Sequence, residues 1–207
     1  MFLLWAGITL IVIGIACVAI DRRAVHFIYD TVSLSFHRFL NRTTHLAKAA
    51  HWLLAAVLAT IASWLLIRSG HETAAIRTAL NASVAFILAL GLGTLVIHSL
   101  KLFLGRRRPR DELEMNLYGF LPFGFSLKHN SFPSGHSLTI FCVAVIATAL
   151  LPQAAVLWFV LAFWLSITRA LLTAHFLSDV FVGAGIGLIC VRVVLVNLFP
   201  SLTLAWF

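Results

Sequence analysis

The stretch Arg169 to Asp179, RALLTAHFLSD, lies between two apolar runs and holds an arginine, a histidine six residues on and an aspartate four after that. On a helix, i and i+4 share a face, so His175 and Asp179 would be neighbours. The flanking runs, about Ala155–Thr168 and Phe176–Phe199, put these groups at the edge of a bilayer. Ionisable side chains are costly there and are functional candidates by default.

Composition agrees with that placement. Of 207 residues, 61% are hydrophobic and 11% are charged, against about half and about a quarter in an ordinary soluble domain. Further apolar runs cover about Phe2–Ile20, Ala49–Ile67, Thr78–Leu100 and Ser137–Leu151, several of them near the ~20 residues that a hydrocarbon core demands. The expectation is an all-α polytopic membrane protein, a single domain over residues 1–207 with six transmembrane helices and an active site at one membrane face. The first run lacks a basic leader and a clear cleavage site, so it reads as a retained span.

Between the first two spans, in residues 21–48, Val25, Ile28, Tyr29, Val32, Phe36, Phe39 and Leu40 recur at helical spacing. They suit a helix in the interface plane or, equally, an amphipathic connector. His26, His37, His45 and His51 have no carboxylate-rich surroundings and read as interfacial histidines. Gly91 and Gly93 allow close helix contact or are simply tolerated in a membrane helix. Cys17, Cys142 and Cys190 sit in apolar runs, as inert thiols do. The net charge of +8 falls in loops, which points to anionic headgroups or an anionic substrate rather than nucleic acid.

Six crossings put the loops after spans one, three and five on one face. The Lys101–Arg110, Ser134–His136 and Arg169–Asp179 clusters would then meet, with residues 101–136 forming an active-site loop. Lys101, Arg108 and Arg169 would repel one another unless an anion sat among them, and phosphate suits arginine's planar fork. Ser134 and Gly135, just before span four, offer backbone N–H groups for the same anion, and glycine permits a close approach. If Asp179 holds one ring nitrogen of His175, the other is free to attack phosphorus. His136 could protonate the departing oxygen, and water would hydrolyse the phosphohistidine. The scheme needs no metal and no cofactor. Asp111, Glu112 and Glu114, the one acidic cluster, read as balancing Arg106, Arg107 and Arg110.

At these residues the chain resembles the type 2 phosphatidic acid phosphatase superfamily, which includes membrane lipid phosphatases and vanadium haloperoxidases. The family pattern K-x6-R-P matches Lys101 to Arg108-Pro109, P-S-G-H matches Pro133 to His136, and S-R-x5-H-x3-D matches Arg169, His175 and Asp179, with Thr168 in the serine position. The resemblance implies His175 as nucleophile, Asp179 as its orienting partner and His136 as acid. It also implies Lys101, Arg108, Ser134, Gly135 and Arg169 as phosphate ligands. The implied activity is hydrolysis of a membrane lipid phosphate or diphosphate of the undecaprenyl diphosphate, phosphatidylglycerol phosphate, phosphatidic acid or lipid A type.

Two other activities fit parts of the pattern. A lipid phosphotransferase would pass the same phosphoryl group to an alcohol, and a non-catalytic lipid transporter or scaffold would need only the cations. The aromatic run Tyr118–Phe125 suits a lateral lipid entrance or an interfacial belt. Twelve of the fifteen Lys and Arg fall on the active-site face, which the positive-inside rule would make cytoplasmic. The resemblance implies a bacterial inner membrane and the periplasmic face, and the latter is the expectation retained. Nothing in the sequence addresses the oligomeric state.

Overall fold

A computed structural model describes residues 1–123 and 130–207, which fold into nine α-helices. They are α1 (Phe2–Cys17), α2 (Asp21–Thr31), α3 (Leu34–Thr43), α4 (Ala49–Arg68), α5 (Ala74–Leu104), α6 (Pro109–Met115), α7 (Gly135–Leu150), α8 (Ala155–Leu171) and α9 (Leu177–Leu198). Side-chain caps set several boundaries. Thr73 accepts from the Ile76 amide to open α5, and Ser134 accepts from the Ser137 amide to open α7. Gly105, with a φ of 49°, closes α5 in the left-handed conformation that glycine adopts without strain.

Helix α9 is the spine, packed against α1, α7, α5 and α8. Its small residues let the neighbours close in. A Cβ on Gly185 would lie 2.5 Å from the Gly7 carbonyl oxygen of α1, and one on Gly183 would strike the Ser134 carbonyl. The second approach seats the start of α7 directly on α9. Leu138 of α7 likewise occupies the space a side chain on Gly93 would need, whereas Gly91 faces open space. Of that pair, Gly93 makes the close contact.

The outer faces of α1, α4 and α8 expose many large apolar side chains, among them Trp5, Val12, Leu54, Leu58, Val156 and Phe163, as a lipid-facing surface requires. Leu34–Arg68, α5, Pro152–Leu171 and α9 are four helical stretches long and apolar enough to cross a membrane. The pair α1 and α2, bent by 82°, adds a fifth if counted as one span. Of the six spans expected, α7 falls short by length, because its 16 residues rise only about 24 Å against a core of about 30 Å. The chain is an integral membrane protein.

Residues 21–48 form α2, α3 and a short 3-10 turn rather than one helix. Glu112 of α6, 1% exposed, holds α2 by accepting from Arg22 at 2.6 Å and by contacting His26 at 3.0 Å. Burial works against its charge, but the bonds from Arg22 and His26 outweigh burial and lower its pKa. This corrects the expectation for His26, which does meet a carboxylate.

Gly183→Ala is expected to force α7 off α9 and to destabilise the protein by about 1–3 kcal/mol. Thermal unfolding in detergent would show it, with Gly91→Ala as the control at an open position. Equal melting temperatures for the two variants would count against the close packing.

Candidate active site

Four helix ends that carry predicted residues lie together, because successive helices run in opposite directions. Lys101 closes α5, His136 opens α7, Arg169 closes α8 and Asp179 opens α9. The structure brings all eight predicted residues to this one end. Lys101 lies within electrostatic range of Arg108 and Asp179, and Arg169 within range of Arg108. His136 feels Arg169, His175, Lys48 and Lys101.

His175 Nδ1 is 3.3 Å from Asp179 Oδ2. The same oxygen accepts from the Ser131 hydroxyl at 2.5 Å and from the Phe176 amide at 3.0 Å. The His175 backbone N–H donates to the Arg169 carbonyl at 3.1 Å, which anchors the turn between α8 and α9. His175 is buried, 4% exposed. That burial lowers its pKa, and Arg169 and Lys101 push the same way, against the opposing pull of Asp179. Burial thus favours the neutral imidazole, with Nδ1 facing the carboxylate.

The other oxygen of Asp179 leads to a residue that the motif reading passed over. Arg106 Nη1 donates to Asp179 Oδ1 at 2.6 Å, and Nη2 donates to Asp21 Oδ2 at 2.7 Å and to the Tyr118 hydroxyl at 3.1 Å. Both carboxylates and the guanidinium have side chains with no exposure. Phe176 and Phe120 lie 4.3 and 4.8 Å from the guanidinium carbon, with Tyr118 and Phe132 further out. Ser178 closes the ring, accepting from Arg106 and donating to Asp21. Burial works against the Arg106 charge, but Asp179 and Asp21 outweigh it and raise its pKa. Arg106 therefore balances Asp21 and Asp179, not the acidic run after Pro109 as the sequence suggested. In that run Asp111 accepts from the Arg108 amide at 3.0 Å and Glu114 pairs with Arg110.

The aromatic run is corrected too. Tyr118 and Phe120 turn inward onto Arg106 instead of lining a lateral entrance. Phe123 stays 68% exposed, and Phe125 lies outside the described residues.

The predicted phosphate ligands contrast with Arg106. Lys101 Nζ donates to the Asn130 carbonyl at 2.7 Å, and Arg108 donates to Asn130 Oδ1 at 2.7 and 3.1 Å. Arg169 donates to the Thr44 hydroxyl at 3.3 Å, and its buried Nε has no partner among the described residues. Among the described residues, none of these three cations forms an ion pair. Gly135 has open space where a Cβ would stand. The first two amides of α7, on Gly135 and His136, have no intrahelical acceptor. Ser134 is fully buried as the cap of α7, and its backbone N–H donates to the Asp179 carbonyl at 2.9 Å. The Thr168 hydroxyl is buried and donates to the Leu165 carbonyl of its own helix at 2.7 Å.

Arg106, Asp21, Ser131, Asn130 and Lys48 were missed because nothing in their local sequence marks them. Asp21 simply follows the first apolar run, and Arg106 is one of the arginines clustered between Lys101 and Arg110. Among the described residues, no three of His, Cys, Asp and Glu converge as a set of metal ligands.

The PAP2 superfamily profile matches residues 82–201, more than half of the chain and all three clusters. The chain belongs to the PAP2 superfamily. Over 93 residues, 45% of this chain, it is 36% identical to the lipid A 1-phosphatase of Rhizobium etli, and it is equally similar to that of Rhizobium johnstonii. These segments are 40% and 38% of those relatives' lengths, so the chain aligns with less than half of each. The fold resembles the crystal structure of the transmembrane PAP2-type phosphatidylglycerolphosphate phosphatase from Bacillus subtilis. The TM-score is 0.67 at 21% identity, over 98% of this chain and all of that one. It also resembles Aquifex aeolicus LpxE, with a TM-score of 0.60 at 24% identity over 86% of this chain and 96% of that one.

Arg106→Met would leave two buried carboxylates without their cation, a loss expected to cost about 3–5 kcal/mol. Adding Asp21→Asn should restore part of it, because one of the two orphaned charges is then gone. Chemical or thermal unfolding of the single and double variants checks both expectations, and an unaltered Arg106→Met would remove the bridge from the account of stability.

Proposed function

We propose that the protein is a metal-independent phosphatase of membrane lipid phosphates that works through a phosphohistidine. The observation that carries this reading is the contrast in charge balance. A buried, carboxylate-oriented histidine adjoins three cations whose side-chain hydrogen-bond partners, among the described residues, are neutral groups. Cations gathered without a protein counter-charge call for an anion from outside, and a phosphate brings it.

In this reading His175 Nε2 attacks phosphorus while Asp179 fixes the ring through Nδ1. The bond from phosphorus to the leaving oxygen breaks, and its electron pair takes a proton from His136. Lys101, Arg108, Arg169 and the α7 amides hold the equatorial oxygens. Water then attacks the phosphohistidine with His136 as base, releasing phosphate and restoring His175. Ser134 acts by shaping the α7 start and Gly135 by leaving room at it.

Relatives named as lipid A 1-phosphatases favour a lipid A type substrate over the other lipid phosphates. We place α1 and α7 as crossing helices as well, giving six. Both pack along the crossing helix α9, and α7 joins the α6 side of the bundle to α8. Residues 21–48 then lie at the interface, and the active site faces the periplasm across a bacterial inner membrane.

Phosphate release from a panel of lipid phosphates by purified protein in EDTA is the direct test. His175→Ala is expected to abolish release, and wild-type silence on the whole panel would overturn the reading. The lowered pKa of His175 sets the sign of the pH dependence. Activity needs the neutral ring and is lost as pH falls through its folded pKa. The acid limb of kcat/KM should therefore lie below the ordinary imidazole value of about 6.5. A limb above that value would mean that Asp179 outweighs burial. For orientation, a membrane-impermeant maleimide should label Met115→Cys, at a site 55% exposed, in intact cells but not Gly70→Cys. The reverse pattern would put the site in the cytoplasm.

A further inference from the structure

We propose that Lys48 and His98 form a second anion subsite on the leaving-group side of the pocket, suited to a leaving group that carries its own negative charge, such as the inner phosphate of a lipid diphosphate. The inference rests on the phosphatase reading and deepens it.

In an in-line displacement the attacking and leaving atoms stand on opposite sides of phosphorus. His175 is the attacker and His136 the proton donor, so the leaving group lies beyond His136. A cavity of about 470 Å³ opens there, lined by His136 and Lys101 together with Lys48, His98, Thr94 and Thr139, and not by His175. It lies between the start of α4, the last turns of α5 and the first turn of α7. His98 and Lys101 share a face of α5 at i and i+3.

Charge makes the cavity specific. The chain has seven acidic residues, and none lines this space. Lys48 precedes α4, and its ammonium has no hydrogen-bond or ion-pair partner among the described residues, while its charge reaches His136. A neutral alcohol as leaving group would give Lys48 no counter-charge. With a lipid diphosphate, His175 Nε2 bonds to the terminal phosphorus and the bridging P–O bond breaks. The electron pair stays on the bridging oxygen, which takes the proton of His136. The departing lipid monophosphate keeps its remaining negative charge beside Lys48 and His98. The competing role for Lys48 is an interfacial anchor with its head among lipid headgroups, which would be blind to the leaving group.

The test uses full-length protein in detergent and two pairs of probes. Calorimetric binding of inorganic pyrophosphate and orthophosphate reads the subsite without turnover. Release of phosphate from farnesyl diphosphate and farnesyl monophosphate reads it in catalysis. Wild type should favour the diphosphate member of each pair by about tenfold, a modest charge-assisted contact. Lys48→Gln should bring the ratio of Kd values, and of KM values, toward one, with His98→Asn acting in the same direction. Equal handling of both members by wild type, or a Lys48→Gln ratio equal to the wild-type ratio, overturns the subsite. In that case turnover of either lipid leaves the phosphatase reading standing. A pyrophosphate preference that Lys48→Gln removes, with no turnover of either farnesyl lipid or of any member of the lipid phosphate panel, upholds the anion subsite and sinks the phosphatase reading.

Discussion

The bridge from Asp21 through Arg106 to Asp179 is the interaction on which the arrangement depends. A guanidinium with no exposure needs counter-charge, and a single planar fork can serve two carboxylates at once. One end of the bridge is the start of α2, just after the first membrane helix, and the other is the carboxylate that orients His175. Removing any member would strand a charge in an apolar shell of four aromatic rings. The orientation of His175 is thus tied to the packing of the N-terminal helices, although His175 touches none of the bridge except Asp179.

The same end of the bundle holds two kinds of basic residue, separated by what they bond to. Arg106 is neutralised inside the protein. Lys101, Arg108 and Arg169 are held in place by an asparagine and a threonine, which orient them without cancelling their charge. Preorganised and uncompensated cations bind an anion without first breaking an ion pair. Small residues on α9 make this possible, since the Ser134 turn can rest on the helix backbone only where Gly183 leaves space.

The legible part of the site was its chemistry-bearing residues. His175 and Asp179 are four apart and do pair, but not by the helical period: His175 lies in the turn before α9, and the Asp179 carboxylate in the first turn of that helix reaches back to it. Lys101, Arg108, His136 and Arg169 stand out because each interrupts or ends an apolar run. The illegible part was the support. Ser131, Asn130 and Asp21 are common residues in polar stretches, and their roles arise from partners 48, 22 and 85 residues away. Arg106 lies two residues from Arg108 with the opposite fate, buried and neutralised, and no periodicity in a loop distinguishes the two.

By itself the sequence determined the membrane class, the helical content, most helix boundaries to within a few residues and which ionisable residues gather at one end of the bundle. These follow from local quantities, namely the length and apolarity of each run and the spacing of ionisable groups within it. Only the tertiary structure decided which arginine is spent on structure, that Tyr118 and Phe120 close over it and that Lys48 and His98 share a cavity with His136. Those outcomes depend on which helix ends come together, and a long-range electrostatic match leaves no mark on either of the segments that make it.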